Sequence, residues 1–523
     1  MVRFGTTPRF HEVYEEIKAA AAHSGCGCKL DERSWQGGCL TSDMPPFALP
    51  FSAVTPESRR RFVDVAIVGA GTAGLTAYHA ATARTSSVVL IEHGPQGTTC
   101  ARVGCMPSKL LLAAAAAAVA HSPRHAARFG VGCSVQVDGR AVMDRVRRER
   151  NRFVDLAVAE TNRVPAEHRI VGHACFAAPR VLEVGGQLID ARAVVIATGS
   201  SPSVSSAFDA LRDLVVVSDD VFAWTTLPKS LAVFGAGPVG IELGQALHRL
   251  GVRVRVFGRG GALGPLTDPA VRAAAVAALS SEMAIDPDAK VLAVRGDGEG
   301  VEVQFQDLAG RSRVESFALA LVATGRHANL DGLGLENAGL SLDRDGVPGI
   351  DRETLQCGSS SVFVAGDASH GTPVLHEAVD EGHIAGDNAA LYPKVQPGAR
   401  RSRLQITFCE PQLTVVGPGF ETLSKEAEIV VGEVSFEDQG RSRIMDRNCG
   451  LGHVYADPVS GRFLGAEIVG PCAEHLGHLL AWAHQQKLAI GAMLAMPIYH
   501  PVVEEGLRTA LRDASTKCRS GRP

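Results

Sequence analysis

Aromatic residues are scarce, 5 % of 523 positions, whereas glycine occurs 56 times, a balance that disfavours an all-β protein and suits an α/β nucleotide binder. An excess of charge of one sign is also missing. Lys and Arg number 52 against 56 Asp and Glu, for a net charge of −4, so no basic footprint points to nucleic acid or an anionic membrane. Long hydrophobic runs are absent too: the longest, Leu110 to Ala120, has eleven residues and is too short to span a bilayer. No charged-then-apolar signal segment opens the chain. The 12 cysteines are too sparse for a disulfide scaffold. The expected compartment is therefore a reducing cytoplasm, where a close cysteine pair reads as catalytic or metal-binding. Apolar residues at 46 % and charged residues at 21 % describe an ordinary globular chain with length for several domains.

The first 60 residues stand apart as an N-terminal extension. Within them His23, Cys26, Cys28 and Cys39 offer four metal ligands or an accessory dithiol, but C-x-C fits zinc spacing poorly. A loosely ordered arm is the default reading, and the triplet Arg59-Arg60-Arg61 reads as a solvated linker.

Regular patterning begins at Phe62. Val63 to Val68 has strand character and runs into Gly69-Ala-Gly71-Thr-Ala-Gly74, a helix follows from Leu75, and a second strand, Val88 to Ile91, ends in Glu92. A strand, G-x-G-x-x-G, a helix and an acid at the next strand end together make the dinucleotide fingerprint. Gly69 permits the turn, Gly71 lets backbone approach a pyrophosphate, Gly74 lets helix pack on strand, and Glu92 can accept ribose hydroxyls. The same pattern recurs at Ser230–Phe234, Gly235-Ala-Gly237-Pro-Val-Gly240 and the helix after it. Two such units imply two dinucleotides. The second strand of the second unit ends in Phe257-Gly258-Arg259, with no acid and one arginine, which tips the expectation toward NADP(H) over NAD.

Between the fingerprints lies Thr99-Cys100-Ala-Arg102-Val-Gly104-Cys105-Met-Pro107-Ser-Lys109. In a regular helix, residues five apart rise about 7.5 Å, beyond the roughly 7 Å Cα separation that a disulfide tolerates. Cys100 and Cys105 can bridge only across a distortion, and Gly104 is placed to allow it. A thiol at a helix start also has its thiolate favoured.

This segment resembles the redox-active segment of the class I FAD-dependent pyridine nucleotide–disulfide oxidoreductases, and most of all that of dihydrolipoamide dehydrogenase. The resemblance implies that Cys100 exchanges with substrate, that Cys105 sits against the flavin, and that Lys109 lies near the flavin edge, paired with Glu242. Thr98, Ala101 and Arg102 depart from the usual G-G-T-C-x-N-V-G-C pattern, which leaves substrate choice open. Ala197-Thr198-Gly199, Ala323-Thr-Gly325-Arg326 and Ala365-Gly366-Asp367 resemble the family's strand ends at its cofactors, with Thr198, Gly199 and Asp367 on the FAD side and Gly325 on the NAD(P) side. His500-Pro-Val-Val-Glu-Glu505 resembles H-P-T-x-x-E, which implies an acid–base histidine oriented by Glu505 and delivered to the partner subunit of a homodimer. His376 reads as structural, and the Arg-rich stretch Gly139 to Ala159 as a solvated helix face.

The implied fold is α/β: an FAD domain (61–210 and 331–395), an NAD(P) domain (211–330) and an α+β dimerisation domain (396–515), followed by a tail (516–523). The implied function is dihydrolipoyl dehydrogenation with FAD and NAD or NADP, on a free or protein-bound lipoyl group and possibly within a 2-oxoacid dehydrogenase complex. An NADPH-dependent reductase of another disulfide, a metal ion or a quinone is the alternative. A second C-terminal thiol pair, as in mercuric reductases, is missing, since only Cys518 is present there. No resident metal is implied.

Overall fold

The computed structural model describes residues 60–520 apart from positions 297, 308 and 345. The readings of His23, Cys26, Cys28 and Cys39 fall outside the described residues.

Strand β1 (Arg60–Val68) lies between β2 (Val88–Glu92) and β3 (Gln187–Ile196), parallel to both. Strand β8 (Val362–Val364) returns three hundred positions later to pair with the end of β3, Val362 opposite Val194. Successive side chains of β1 alternate between two cores, as the period of 2 requires. Val65 and Ile67 face helices α1 (Thr72–Thr82) and α7 (Leu375–Leu391), whereas Ala66 and Val68 face the opposite side with Phe176 and Leu182. The two helices meet backbone to backbone: a Cβ on Gly382 or Gly386 would lie 2.3 Å from the carbonyl of Ala73 or Ala77. Glycine at this spacing sets how closely α7 seals the sheet.

The second parallel sheet runs β6 (Ala284–Asp286), β5 (Arg253–Phe257), β4 (Ser230–Phe234), β7 (Leu319–Val322) and Val215–Val217. Helix α5 (Pro238–Arg249) follows β4, and α6 (Pro269–Ser280) precedes β6. A three-stranded antiparallel sheet, Lys290 to Phe317, connects β6 to β7 and packs Val303 and Phe305 on Phe234 and Phe257. The last sheet is antiparallel, in the order β9 (Leu404–Thr407), β10 (Gln412–Val416), β13 (Phe463–Gly470), β12 (Leu451–Ala456), β11 (Val430–Ser435). Helices α8 (Ala473–Gln485) and α9 (Glu505–Ser520) share its core.

Three local expectations change. Arg60 and Arg61 are strand residues rather than linker: Arg60 pairs with Asp190 at 2.7 Å and Arg61 donates to the carbonyl of Glu167 at 2.8 Å. The ladder to β3 extends over both, pairing Arg60 with Leu188 and Arg61 with Ile189. Helix α4 (Gly139–Asn162) is not simply a solvated charged face, since Arg147 and Arg150 reach back to the carbonyls of Trp224 and Phe222. Finally, Thr99 to Ala120 forms 22 residues with a mean hydropathy of 1.7, long and apolar enough to cross a membrane by those measures. The stretch is broken at Gly104, and its second part buries Leu111 and Ala115 against α4 and α5 while most of its other side chains are not buried.

Candidate active site

The cysteine segment folds as two helices, α2 (Thr99–Val103) and α3 (Cys105–Ala120), with Gly104 between them at φ −119° and ψ −123°. This is the required distortion, and it belongs to glycine for a packing reason. A Cβ there would lie 3.0 Å from the Thr99 carbonyl and 3.1 Å from the Cys100 Cα. Thr98 caps α2 by accepting from the Ala101 amide at 3.2 Å, but does so at φ 44°, a region β-branched residues avoid. Strain thus sits two residues before the first cysteine.

Both cysteines are free thiols, Cys100 half-buried and Cys105 exposed. They hydrogen-bond to one another, and their acidities split. The bond from Cys100 and the nearby Lys109 ammonium outweigh burial and lower Cys105 to about 6. Cys100 is pushed up, first by its bond to Cys105 and then by burial. At neutral pH the pair is one thiolate, Cys105, and one thiol.

Lys109 is one turn further along α3. Its Nζ donates to Glu242 Oε2 at 2.8 Å, and its ammonium lies 4.4 Å from the centre of the Phe408 ring. Glu242 is buried on α5, and its other oxygen accepts the Phe408 amide at 2.8 Å. Neither the Phe408 ring nor its amide was foreseen from sequence; it sits in the β9–β10 turn. Arg102 points elsewhere, donating to the Pro95 carbonyl at 3.4 Å.

The first cradle is shaped by its glycines. A Cβ on Gly69 would lie 2.4 Å from the Ala197 carbonyl and one on Gly74 1.8 Å from the Gly69 carbonyl, whereas one on Gly71 would meet nothing within 4 Å. No side chain caps the N-terminus of α1, so its amides face that open space. Glu92 accepts the Ala70 and Gly94 amides, both at 2.7 Å, and thereby braces the turn. Asp367 accepts the Ser200 hydroxyl at 2.7 Å, and Asn329 holds the Thr198 and Gly199 carbonyls at 3.1 and 2.9 Å. The Thr198 hydroxyl is buried without a partner. An open turn, uncapped amides and an orphaned hydroxyl fit a dinucleotide such as FAD.

In the second cradle Gly235 and Gly240 are equally constrained, at 2.3 and 2.0 Å, and Gly237 is equally open. Helix α5 is likewise uncapped by any side chain, and Gly325 leaves open space at φ 129°. The strand end differs. A Cβ on Gly258 would lie 2.4 Å from the Pro287 carbonyl, so no carboxylate can stand there. The nearby carboxylate is instead Asp288, which accepts the Gly260 amide at 2.7 Å, and Arg259 projects exposed beside it.

His500 and Glu505 come together on the dimerisation domain, His500 Nδ1 lying 3.0 and 3.1 Å from the two Glu505 oxygens. That bond is the first cause of the lowered Glu505 pKa. The imidazole is 80 % exposed. His376 lies apart from the dithiol, with Nε2 buried and unpartnered and its pKa lowered by burial.

Two dinucleotide cradles flanking a dithiol with one thiolate define a flavin- and nicotinamide-linked dithiol–disulfide oxidoreductase. Residues 63–382 match the pyridine nucleotide-disulphide oxidoreductase family and 404–511 match its dimerisation domain, and the chain belongs to this family. It is an oxidoreductase that uses FAD and NAD(P), and the dimerisation domain supports a homodimer. Over 478 residues it is 30 % identical to dihydrolipoyl dehydrogenase of Halobacterium salinarum, covering 86 % of this chain and 96 % of that one. A mercuric reductase of Streptomyces lividans is also 30 % identical, over 80 % of this chain and 89 % of that one. The Cu(II) complex of the HOCl-induced flavoprotein disulfide reductase RclA from Escherichia coli shares the fold, with a TM-score of 0.72 at 22 % identity over 85 % of this chain and 98 % of that one. So does LpdA from Mycobacterium tuberculosis, with a TM-score of 0.72 at 22 % identity, over 86 % and 99 %.

Proposed function

We propose that the enzyme is a dihydrolipoyl dehydrogenase, moving two electrons from a dihydrolipoyl dithiol to NAD(P)⁺. The observation that carries this reading is the divided dithiol: a Cys105 thiolate held by Lys109, beside a Cys100 thiol of raised pKa. In the oxidised enzyme the two sulfurs form a disulfide. A substrate thiol, deprotonated by His500 of the partner subunit, attacks the Cys100 sulfur, and the disulfide breaks to release Cys105 as thiolate. The second substrate thiol attacks the sulfur bound to Cys100 in the mixed disulfide. Cyclic product leaves, and Cys100 takes a proton. Lys109 and Glu242 hold fixed charge beside Cys105, while Glu505 fixes the tautomer of the histidine. FAD, when bound in the first cradle, would supply the two-electron carrier between this dithiol and NAD(P)⁺. Gly71 and Gly237 would admit the two pyrophosphates, Glu92 and Asp367 would hold sugar and ribityl hydroxyls, and Arg259 would receive the 2′-phosphate of NADP(H).

A second reading is an NADPH-dependent reductase of another disulfide, a metal ion or a quinone. The steric exclusion of an acid at Gly258 and the mercuric reductase relative favour it. Rapid reduction by NADH and by NADPH, followed by reoxidation with lipoamide, glutathione disulfide or Hg²⁺, separates the two. Fast reoxidation by lipoamide alone supports the first reading. Reoxidation by Hg²⁺ or glutathione disulfide with lipoamide inert overturns it.

A further inference from the structure

One cleft of about 530 Å³ is lined by residues of neither cradle nor of the dithiol. It is bounded by Arg400 to Arg403, by Gly417 and Pro418 after β10, by Arg462 to Leu464 at the start of β13, and by His484 to Lys487 at the end of α8. Five cations line it, and they divide into two groups. Arg400 is neutralised by Glu377 and Glu381 of α7, and Arg401 by Asp380. Arg403, Arg462 and Lys487 are exposed and have no carboxylate within ion-pair distance among the described residues; Arg403 donates only to Gln405 Oε1, at 2.7 Å. Of the two acids five positions from Arg462, Glu467 is committed to Thr267 and Asp268, and Asp457 has its Oδ1 bound to the amides of Val459 and Ser460 at 3.1 and 2.6 Å, with Arg462 adding only a longer-range charge effect to its lowered pKa.

Lys487 carries a second, independent signal. It stands just past the end of α8 at φ 52°, the left-handed position that glycine fills in most helix ends. A lysine kept where the backbone prefers glycine points to a use for its side chain. The wall between the cations is neutral: burial lowers the pKa of His484, whose Nδ1 shares a hydrogen bond with Ser402 Oγ at 2.7 Å.

We infer that this cleft binds a multiply charged phosphate ester through Arg403, Arg462 and Lys487. Three cations without a close ion pair around a nucleotide-sized space suit phosphoryl oxygens better than a single carboxylate. The test is calorimetric titration of the FAD-loaded dimer with inorganic pyrophosphate and, separately, with ATP, at low and high NaCl. A saturable site that weakens with salt is expected. Arg462→Ala and Lys487→Gly should each lose tenfold or more in affinity, while flavin reduction by NAD(P)H is unchanged. Lys487→Gly should also hold or raise the Tm, because glycine relieves the backbone, so its loss of binding is not a loss of folding. Equal binding of the two probes assigns the site to phosphoryl groups; tighter ATP extends it to a nucleotide. Because the cradles also accept pyrophosphate, the variants decide. Affinity unchanged in both variants, or no binding of either probe, overturns the inference.

Discussion

In the first cradle the missing Cβ of Gly74 would lie 1.8 Å from the Gly69 carbonyl, and in the second that of Gly240 would lie 2.0 Å from the Gly235 carbonyl. The central glycines, Gly71 and Gly237, both open onto empty space, and both helices begin without a side-chain cap. The phosphate-binding geometry has been built twice in the same way. At the ends of the second strands the cradles part. Glu92 stands at one, braced by two amides, whereas at the other the Pro287 backbone closes the corresponding place and Arg259 follows. The proposed pyrophosphate contacts would come from backbone and are repeatable; the proposed sugar contacts would come from one side chain and are tuned separately.

Breaking each cradle at its packing glycine gives the largest effects. Gly74→Val should abolish FAD binding and all turnover, read as a colourless protein. Gly240→Val should keep the flavin spectrum but lose reduction by both NADH and NADPH. If Gly240→Val also purified without flavin, the two cradles would not be independent. Next comes the dithiol between them. Cys105→Ser should cut turnover by at least about a thousandfold and remove the long-wavelength band of the two-electron-reduced enzyme. In the unmodified enzyme that band should titrate near pH 6, present above it as thiolate and lost below it as the thiol forms, because the Cys100 bond and Lys109 lower Cys105 to about 6. A band that persisted unchanged to pH 4 would contradict this assignment.

The glycine turns, the cysteine spacing and the His-Pro-x-x-x-Glu step are local patterns, and each was visible in the sequence because its chemistry needs fixed neighbours. What escaped were contacts between residues far apart in the chain. Phe408 reaches Lys109 by a ring contact and Glu242 by an amide, and neither contact is between sequence neighbours. Gly382 and Gly386 read as unremarkable helix residues until α7 lies against Ala73 and Ala77. Arg60 and Arg61 read as linker because their acceptors, Asp190 and the Glu167 carbonyl, lie more than a hundred residues away. Pro287 explains why Gly258 is glycine, and the strand itself does not contain that reason.

Smaller changes sharpen the difference at the strand ends. Glu505→Gln, which leaves His500 without its carboxylate, should lower kcat about tenfold to a hundredfold with the KM for NAD(P)H unaltered. Arg259→Glu should lower kcat/KM for NADPH by about tenfold to a hundredfold, the worth of one charge-assisted hydrogen bond, and leave NADH nearly unaffected. Equal losses with the two cofactors would remove Arg259 from the 2′-phosphate site.

The smallest predicted effect contrasts two alanine substitutions within the second cradle. At Gly258 the new Cβ meets the Pro287 carbonyl at 2.4 Å, and the obstacle is backbone, which cannot rotate away. At Gly237 it meets nothing within 4 Å. Gly258→Ala should therefore destabilise by about 1–3 kcal/mol through overpacking, visible as a lowered Tm with an ordinary KM for the nicotinamide cofactor. Gly237→Ala should do the reverse, leaving the Tm in place and raising that KM, because its methyl enters only the space a pyrophosphate would fill. If both variants lost stability alike, the open space at Gly237 would be a feature of the fold rather than a place for ligand. If Gly258→Ala kept its Tm, the Pro287 backbone would be free to move, and an acid at the strand end would no longer be excluded on steric grounds.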